Sequence, residues 1–99
     1  MQKAVTEHDK YVAELVGYLD SSFDQIFTHQ ELAEGGDVLC EIDILAKRGS
    51  EIHLYEVKCS NRMNKAKEQL KKAERFYEGR ETFCYFYNGE GDFLVELDT

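Results

Sequence analysis

The 99-residue chain contains no proline, no stretch of low complexity and no internal repeat. Nothing marks a linker, so residues 1–99 read as one domain, with a single modest core that buries roughly two-thirds of the unfolded surface. No apolar run approaches the ~20 residues of a membrane span, and the N-terminus lacks a basic-then-apolar signal pattern. No membrane partner is expected, and the cytoplasm is the expected location. Cysteine is sparse and odd in number. Cys40, Cys59 and Cys84 lie far apart among apolar neighbours, which predicts buried free thiols rather than a disulfide. No CxxC-type pair is present, and His8, His29 and His53 are equally scattered along the chain. A zinc site is not expected.

Positive charge is also scarce, with 12 Lys and Arg against 20 Asp and Glu and a net charge of −8. That balance argues against a simple nucleic-acid binder, but its distribution matters more than its sum. Residues 47–80 hold ten of the basic side chains against five acids, a local +5, and residues 81–99 carry five acids and no base. One basic face can attract phosphates on an otherwise acidic molecule. Lys65, Lys67, Lys71, Lys72 and Arg75 could equally be the solvated side of a helix.

Hydrophobic spacing divides the chain into seven elements. Val5, Val12, Leu15, Val16 and Leu19 recur at helical intervals over residues 3–20, with Asp20-Ser21-Ser22 as the stop. A less regular strand around Ile26 and Phe27 runs toward the Gly35-Gly36 turn. Val38–Lys47 and Ile52–Cys59 read as antiparallel strands joined at Arg48-Gly49-Ser50, and both are apolar almost throughout, as strands covered on two faces are. A second helix of about sixteen residues, capped by Ser60 or Asn61, turns Met63, Ala66, Leu70, Ala73 and Tyr77 inward and ends at Gly79. Thr82–Asn88 and Phe93–Leu97 close the chain as a hairpin. The predicted order is α-β-β-β-α-β-β.

Three charges break the two central apolar strands: Asp43 in the first, then Glu56 and Lys58 in the second. Side chains alternate along a strand, so Glu56 and Lys58 share a face while Tyr55 and Val57 take the other. Burying an ionised carboxylate costs several kcal/mol unless it is paired or holds a metal. Three readings follow: a buried ion pair of Lys58 with Asp43 or Glu56, an exposed sheet face, or a metal site. The metal site is preferred, because apolar residues could replace a purely structural pair without loss. Oxygen ligands without a neighbouring His or Cys favour Mg²⁺, with Mn²⁺ as substitute.

An acid late in one strand, Glu-x-Lys in the next and then a helix rich in Lys and Gln resembles the PD-(D/E)XK nuclease superfamily. The run Glu41-Ile42-Asp43-Ile44 is similar to that of small archaeal and bacterial members, including those like Holliday-junction resolvases. The resemblance covers nearly the whole chain and implies an α/β, restriction-endonuclease-like αβββαβ core, a mixed central sheet flanked by helices, with one extra C-terminal strand. It implies a Mg²⁺-dependent DNA endonuclease leaving 5′-phosphate and 3′-hydroxyl ends, with structure-selective cutting within its range. By the same resemblance Asp43, Glu56 and the Val57 carbonyl hold the metal, Lys58 orients or deprotonates water, and Gln69 stands near the site. Ala73 occupies the position where recombination-nuclease relatives place a Tyr. A first-helix acid would complete the set, with Glu7 preferred over Glu14, and Glu41 is a further candidate ligand. Arg62, Lys65 and Lys72 are the expected contacts to DNA. Cutting both strands would call for a homodimer, and the aromatic closing hairpin offers a face for it. The alternative is the same fold as a non-catalytic nucleic-acid or protein interaction module, which the acidic remainder of the surface makes credible.

Overall fold

The computed structural model describes residues 6–98. Helix α1 spans Glu7–Leu19, strands β1, β2 and β3 span Gln25–Glu34, Asp37–Arg48 and Glu51–Lys58, helix α2 spans Met63–Glu74, and strands β4 and β5 span Thr82–Asn88 and Phe93–Leu97. The strands form one mixed sheet in sequence order, β1-β2-β3-β4-β5. Only β3 and β4 are parallel, and α2 is the crossover that connects them. A parallel pair cannot be joined by a tight turn, so the helix between them is a consequence of strand direction.

The two helices cover opposite faces of the sheet. On one face α2 turns Ala66, Leu70 and Ala73 onto Ile42, Leu45, Ile52, Leu54, Cys84 and Phe86, with Met63 and Tyr77 at the margin. On the other, α1 sets Val12 and Leu15 against Ile44, Ala46, Tyr55, Val57 and Tyr87. Each fully buried aliphatic side chain contributes about 1.5–3 kcal/mol relative to exposure. Residues 52–57 of β3 are buried without interruption, as a strand between two helical layers requires.

Local chemistry sets the ends of the elements. Thr6 caps α1 by a reciprocal box: its Oγ1 accepts from the Asp9 N–H at 3.1 Å, and Asp9 Oδ2 accepts from the Thr6 N–H at 3.4 Å. The expected start at residue 3, and Val5 on its apolar stripe, lie outside the described residues. Neither Ser60 nor Asn61 caps α2. The helix begins after Arg62, which makes no side-chain cap bond, and it closes with a short 3₁₀ turn at Arg75–Tyr77. The 59–62 loop is instead held toward β4, where Gly89 N–H donates to Lys58 O and Glu90 N–H to Cys59 O, both at 2.9 Å. Gly89 is required at that turn because a Cβ there would run into the Tyr11 ring of α1. No disulfide joins the three cysteines; Cys84 is buried, whereas Cys40, on the part of β2 that does not pair with β3, and Cys59, just past the end of β3, are half-buried.

At the hairpin end of β2 and β3 lies a closed polar cluster. His53 is 3% exposed. Its Nε2–H donates to Glu51 Oε1 at 3.0 Å and its Nδ1 meets the Tyr85 hydroxyl at 2.9 Å. Phe23 sits edge-on to the imidazole, and Phe83 and Tyr85 stack with it.

Candidate functional site

At the opposite end of the same two strands the ladder opens. Backbone pairing of β2 with β3 runs from Arg48↔Glu51 up to Ile44↔Tyr55 and stops there. On the other side, Thr28 pairs with Ile44 and Gln30 with Ile42, but His29 and Asp43 between them do not pair. Strand alternation slips at this point: Ile42 faces α2, while Ile44, two residues on, faces α1. With a rung skipped toward β1 and the ladder ended toward β3, the Asp43 side chain turns into the gap between β2 and β3.

Side chains replace the missing rung. Asp43 Oδ2 accepts from the Val57 N–H at 2.8 Å, and Glu56 Oε1 accepts from the Asp43 N–H at 3.4 Å. Each carboxylate is thereby tied to the other strand's backbone. Asp43 is 8% exposed and Glu56 only 1%. Burial first, and then the negative charge of Asp43, push the Glu56 carboxyl up to about 8, against the opposing pull of Lys58.

Lys58 shares the α2 face with Glu56, as strand alternation requires. Its Nζ donates to Gln69 Oε1 at 2.8 Å and stands 3.7 Å from Glu56 Oε2. Asp43, Glu56, Lys58 and Gln69, eleven residues past Lys58, are therefore brought together. Among the described residues the ammonium pairs with one carboxylate only, and no lysine or arginine pairs with Asp43. Lys65 and Lys72 lie one turn to either side of Gln69 on α2, with Arg62 at the head of the same stripe. All three are exposed.

From the α1 side the group that arrives is an imidazole. His8 Nε2–H donates to Val57 O at 2.9 Å and lies 3.4 Å from Asp43 Oδ2. Glu7 is exposed, and Glu14 is directed to the Tyr87 hydroxyl at 3.5 Å. Neither acid touches Asp43 or Glu56 in the way His8 does. Helical phase explains the difference: His8, Val12 and Leu15 follow the i, i+4, i+7 stripe that meets the sheet, whereas Glu7 and Glu14 lie one residue off it. That signal was present in the sequence and singles out His8.

The second histidine near Asp43 had no such signal. His29 adopts a left-handed backbone (φ 51°) at the missing rung. Its Nδ1 lies 3.5 Å from Glu41 Oε1 and its Nε2 3.7 Å from Asp9 Oδ1. The rings of His8 and His29 are 6.3 Å apart. The histidines that are scattered along the chain thus separate in space into two near Asp43 and one, His53, in the core. No protein-family model matches the chain, and no curated protein matches it.

Proposed function

We propose that the protein is a divalent-cation-dependent DNA endonuclease that hydrolyses phosphodiesters to 5′-phosphate and 3′-hydroxyl ends on a restriction-endonuclease-like, PD-(D/E)XK framework. The observation that carries this reading is the pair of buried carboxylates, Asp43 and Glu56, at the point where β2 parts from β3, with Lys58 on the rim. Two buried acids share one ammonium in a low-dielectric gap, so ionising both calls for further positive charge, which an added cation supplies. Burial and then the Asp43 charge push the Glu56 carboxyl up, and a bound cation would favour its ionised form.

The donor set fits Mg²⁺, with Mn²⁺ as substitute: Asp43, Glu56 and the Val57 carbonyl are hard oxygen ligands. When bound, a divalent ion supplies Lewis-acid stabilisation of charge on the phosphoryl oxygens. The chain's own residues do the rest. Lys58, held by Gln69, presents an ammonium to the attacking water or to the phosphate. His8 fixes the Val57 carbonyl from the α1 side, in the place where a first-helix acid was expected. Arg62, Lys65 and Lys72 form the positive stripe along which a DNA backbone is drawn toward the gap. One chain offers one such gap, so cleavage of both strands calls for a homodimer.

Calorimetric titration of Mg²⁺ and Mn²⁺ into the wild type and Asp43→Ala, with and without DNA, tests the reading. Binding is expected in the wild type and lost in the variant. Lys58→Met is expected to keep cation and DNA binding while cleavage falls by roughly 10²–10⁴-fold. A wild type that binds neither ion even with DNA would favour the non-catalytic interaction module, and undiminished cleavage by both variants would refute the site.

A further inference from the structure

The sheet has two outer strands, and they differ in how well they are closed. β1 is irregular: His29 takes a left-handed backbone at a skipped pair, and the register shifts again between Leu32 and Ala33. Such interruptions turn an edge away from further pairing. β5 has none. It pairs with β4 in unbroken register from Cys84↔Leu97 to Asn88↔Phe93. Among the described residues no strand lies on its other side, and no turn or loop bonds to its backbone there. We propose that the free edge of β5 is a docking site for an extended, basic segment of a partner protein, which adds to the sheet as a further strand. The edge is separate from the cation site, since β3 and β4 lie between β5 and the gap at Asp43.

Exposed apolar surface accompanies the open edge. Phe93 is 38% exposed and Leu94 44%. They take opposite faces, Phe93 edge-on to Phe86 on the α2 side and Leu94 beside Tyr87 on the α1 side. Phe93, Val95 and Leu97 form an apolar row on the α2 face at the margin of the sheet, with Val95 only partly buried. A strand laid alongside would cover that row with every second side chain.

Charge decides what kind of segment fits. Residues 89–99 carry Glu90, Asp92, Glu96 and Asp98 and no base. Glu96 and Asp98, with Glu74 at the end of α2, line a cleft of about 430 Å³ beside the end of β5. Glu74 Oε2 accepts from the Cys84 thiol at 3.3 Å, which fixes it in the wall of the cleft. Among the described residues no lysine or arginine pairs with Glu96 or Asp98. An acidic segment or a nucleic-acid backbone is repelled here, and so is the β5 edge of a second copy, which carries the same acids. A segment with Lys or Arg at alternate positions meets Glu96 on the α1 face and sets its apolar residues against Phe93 and Val95 on the other. A basic side chain at its end enters the cleft.

Titration of a short peptide of alternating Val and Lys into the full chain, followed by amide NMR, tests this. Saturable shifts confined to β5 and its neighbours are expected, with slowed hydrogen exchange along β5 and affinity that falls as salt rises. A fully N-methylated peptide keeps the charge but loses its backbone donors, and it should not bind. Glu96→Lys with Asp98→Lys changes only exposed side chains and should weaken binding about tenfold or more, with the fold and cation binding retained. A wild type that does not bind the peptide overturns the proposal. Binding that survives N-methylation, or that shifts residues across the whole acidic surface, also overturns it, because attraction to net charge would then suffice. Self-association of the doubly substituted chain, with no peptide bound by the wild type, would mean that the acids serve only to keep copies apart.

Discussion

Glu51 and Glu56 stand five residues apart on the same strand, and their surroundings drive them in opposite directions. Glu51 accepts hydrogen bonds from His53 and Arg48, which hold its carboxyl below the usual range. Glu56 is buried beside another carboxylate and is pushed up to about 8. At the hairpin end the polar atoms of His53 are matched one for one and roofed by aromatic rings. At the open end two acids share a gap with one ammonium and two imidazoles. A polar group that the fold satisfies completely is part of the architecture. A carboxylate that the fold isolates beside another is a candidate for binding something else, and it is where the cation is proposed.

Replacing the isolated charge should have the largest effect on the folded state. The Glu56 carboxyl lies near 4.5 when unfolded and about 8 when folded. Between those values the folded chain holds a proton that the unfolded chain has released, so stability falls as pH rises through the window. It is fully present below about 4.5 and lost above about 8. Glu56→Gln should flatten that slope and, in chelator at pH 8 or above, raise stability by on the order of a few kcal/mol. Urea unfolding at pH 5 and pH 8.5 measures it, and an unchanged slope would mean that Glu56 is already compensated.

The matched cluster should respond in the other sense. His53→Leu removes two hydrogen bonds and should cost about 1–3 kcal/mol at neutral pH. Cation binding and DNA cleavage should be unchanged in the folded variant, since His53 lies at the far end of the strands. Loss of Mn²⁺ binding without loss of fold would erase the distinction between the two ends.

The smallest effect is expected on the helix that borders the open end. Lys65→Glu with Lys72→Glu should weaken DNA binding and reduce the slope of log K against log salt by about two, while leaving stability within about 0.5 kcal/mol. A salt titration of binding reads this directly, and unchanged affinity and slope would remove α2 from the interface.

Much of the fold was legible because periodicity is a local property. The buried faces of both helices, the β2–β3 hairpin and the closing hairpin follow from spacing, and so does the shared face of Glu56 and Lys58. The α2 cap was misplaced because the loop before it is held by backbone bonds to the β4–β5 turn, a contact between distant segments. Cys40 and Cys59 were placed too deep because apolar neighbours do not reveal where β2 loses its β3 partner or where β3 ends.

The candidate site divides along the same line. By itself the sequence determined that three charges interrupt two strands that must be buried, and that Gln69 and the lysines flank them on one helix stripe. It also carried the phase that singles out His8. Only the tertiary structure decided that the β1 ladder skips Asp43 and the β3 ladder ends beside it, that its side chain enters the gap, and that His29 meets Glu41 there. The physical reason is that strand alternation is set residue by residue, whereas a slip in register costs backbone hydrogen bonds on two neighbouring strands. Its position depends on what the Asp43 and Glu56 side chains can offer in their place.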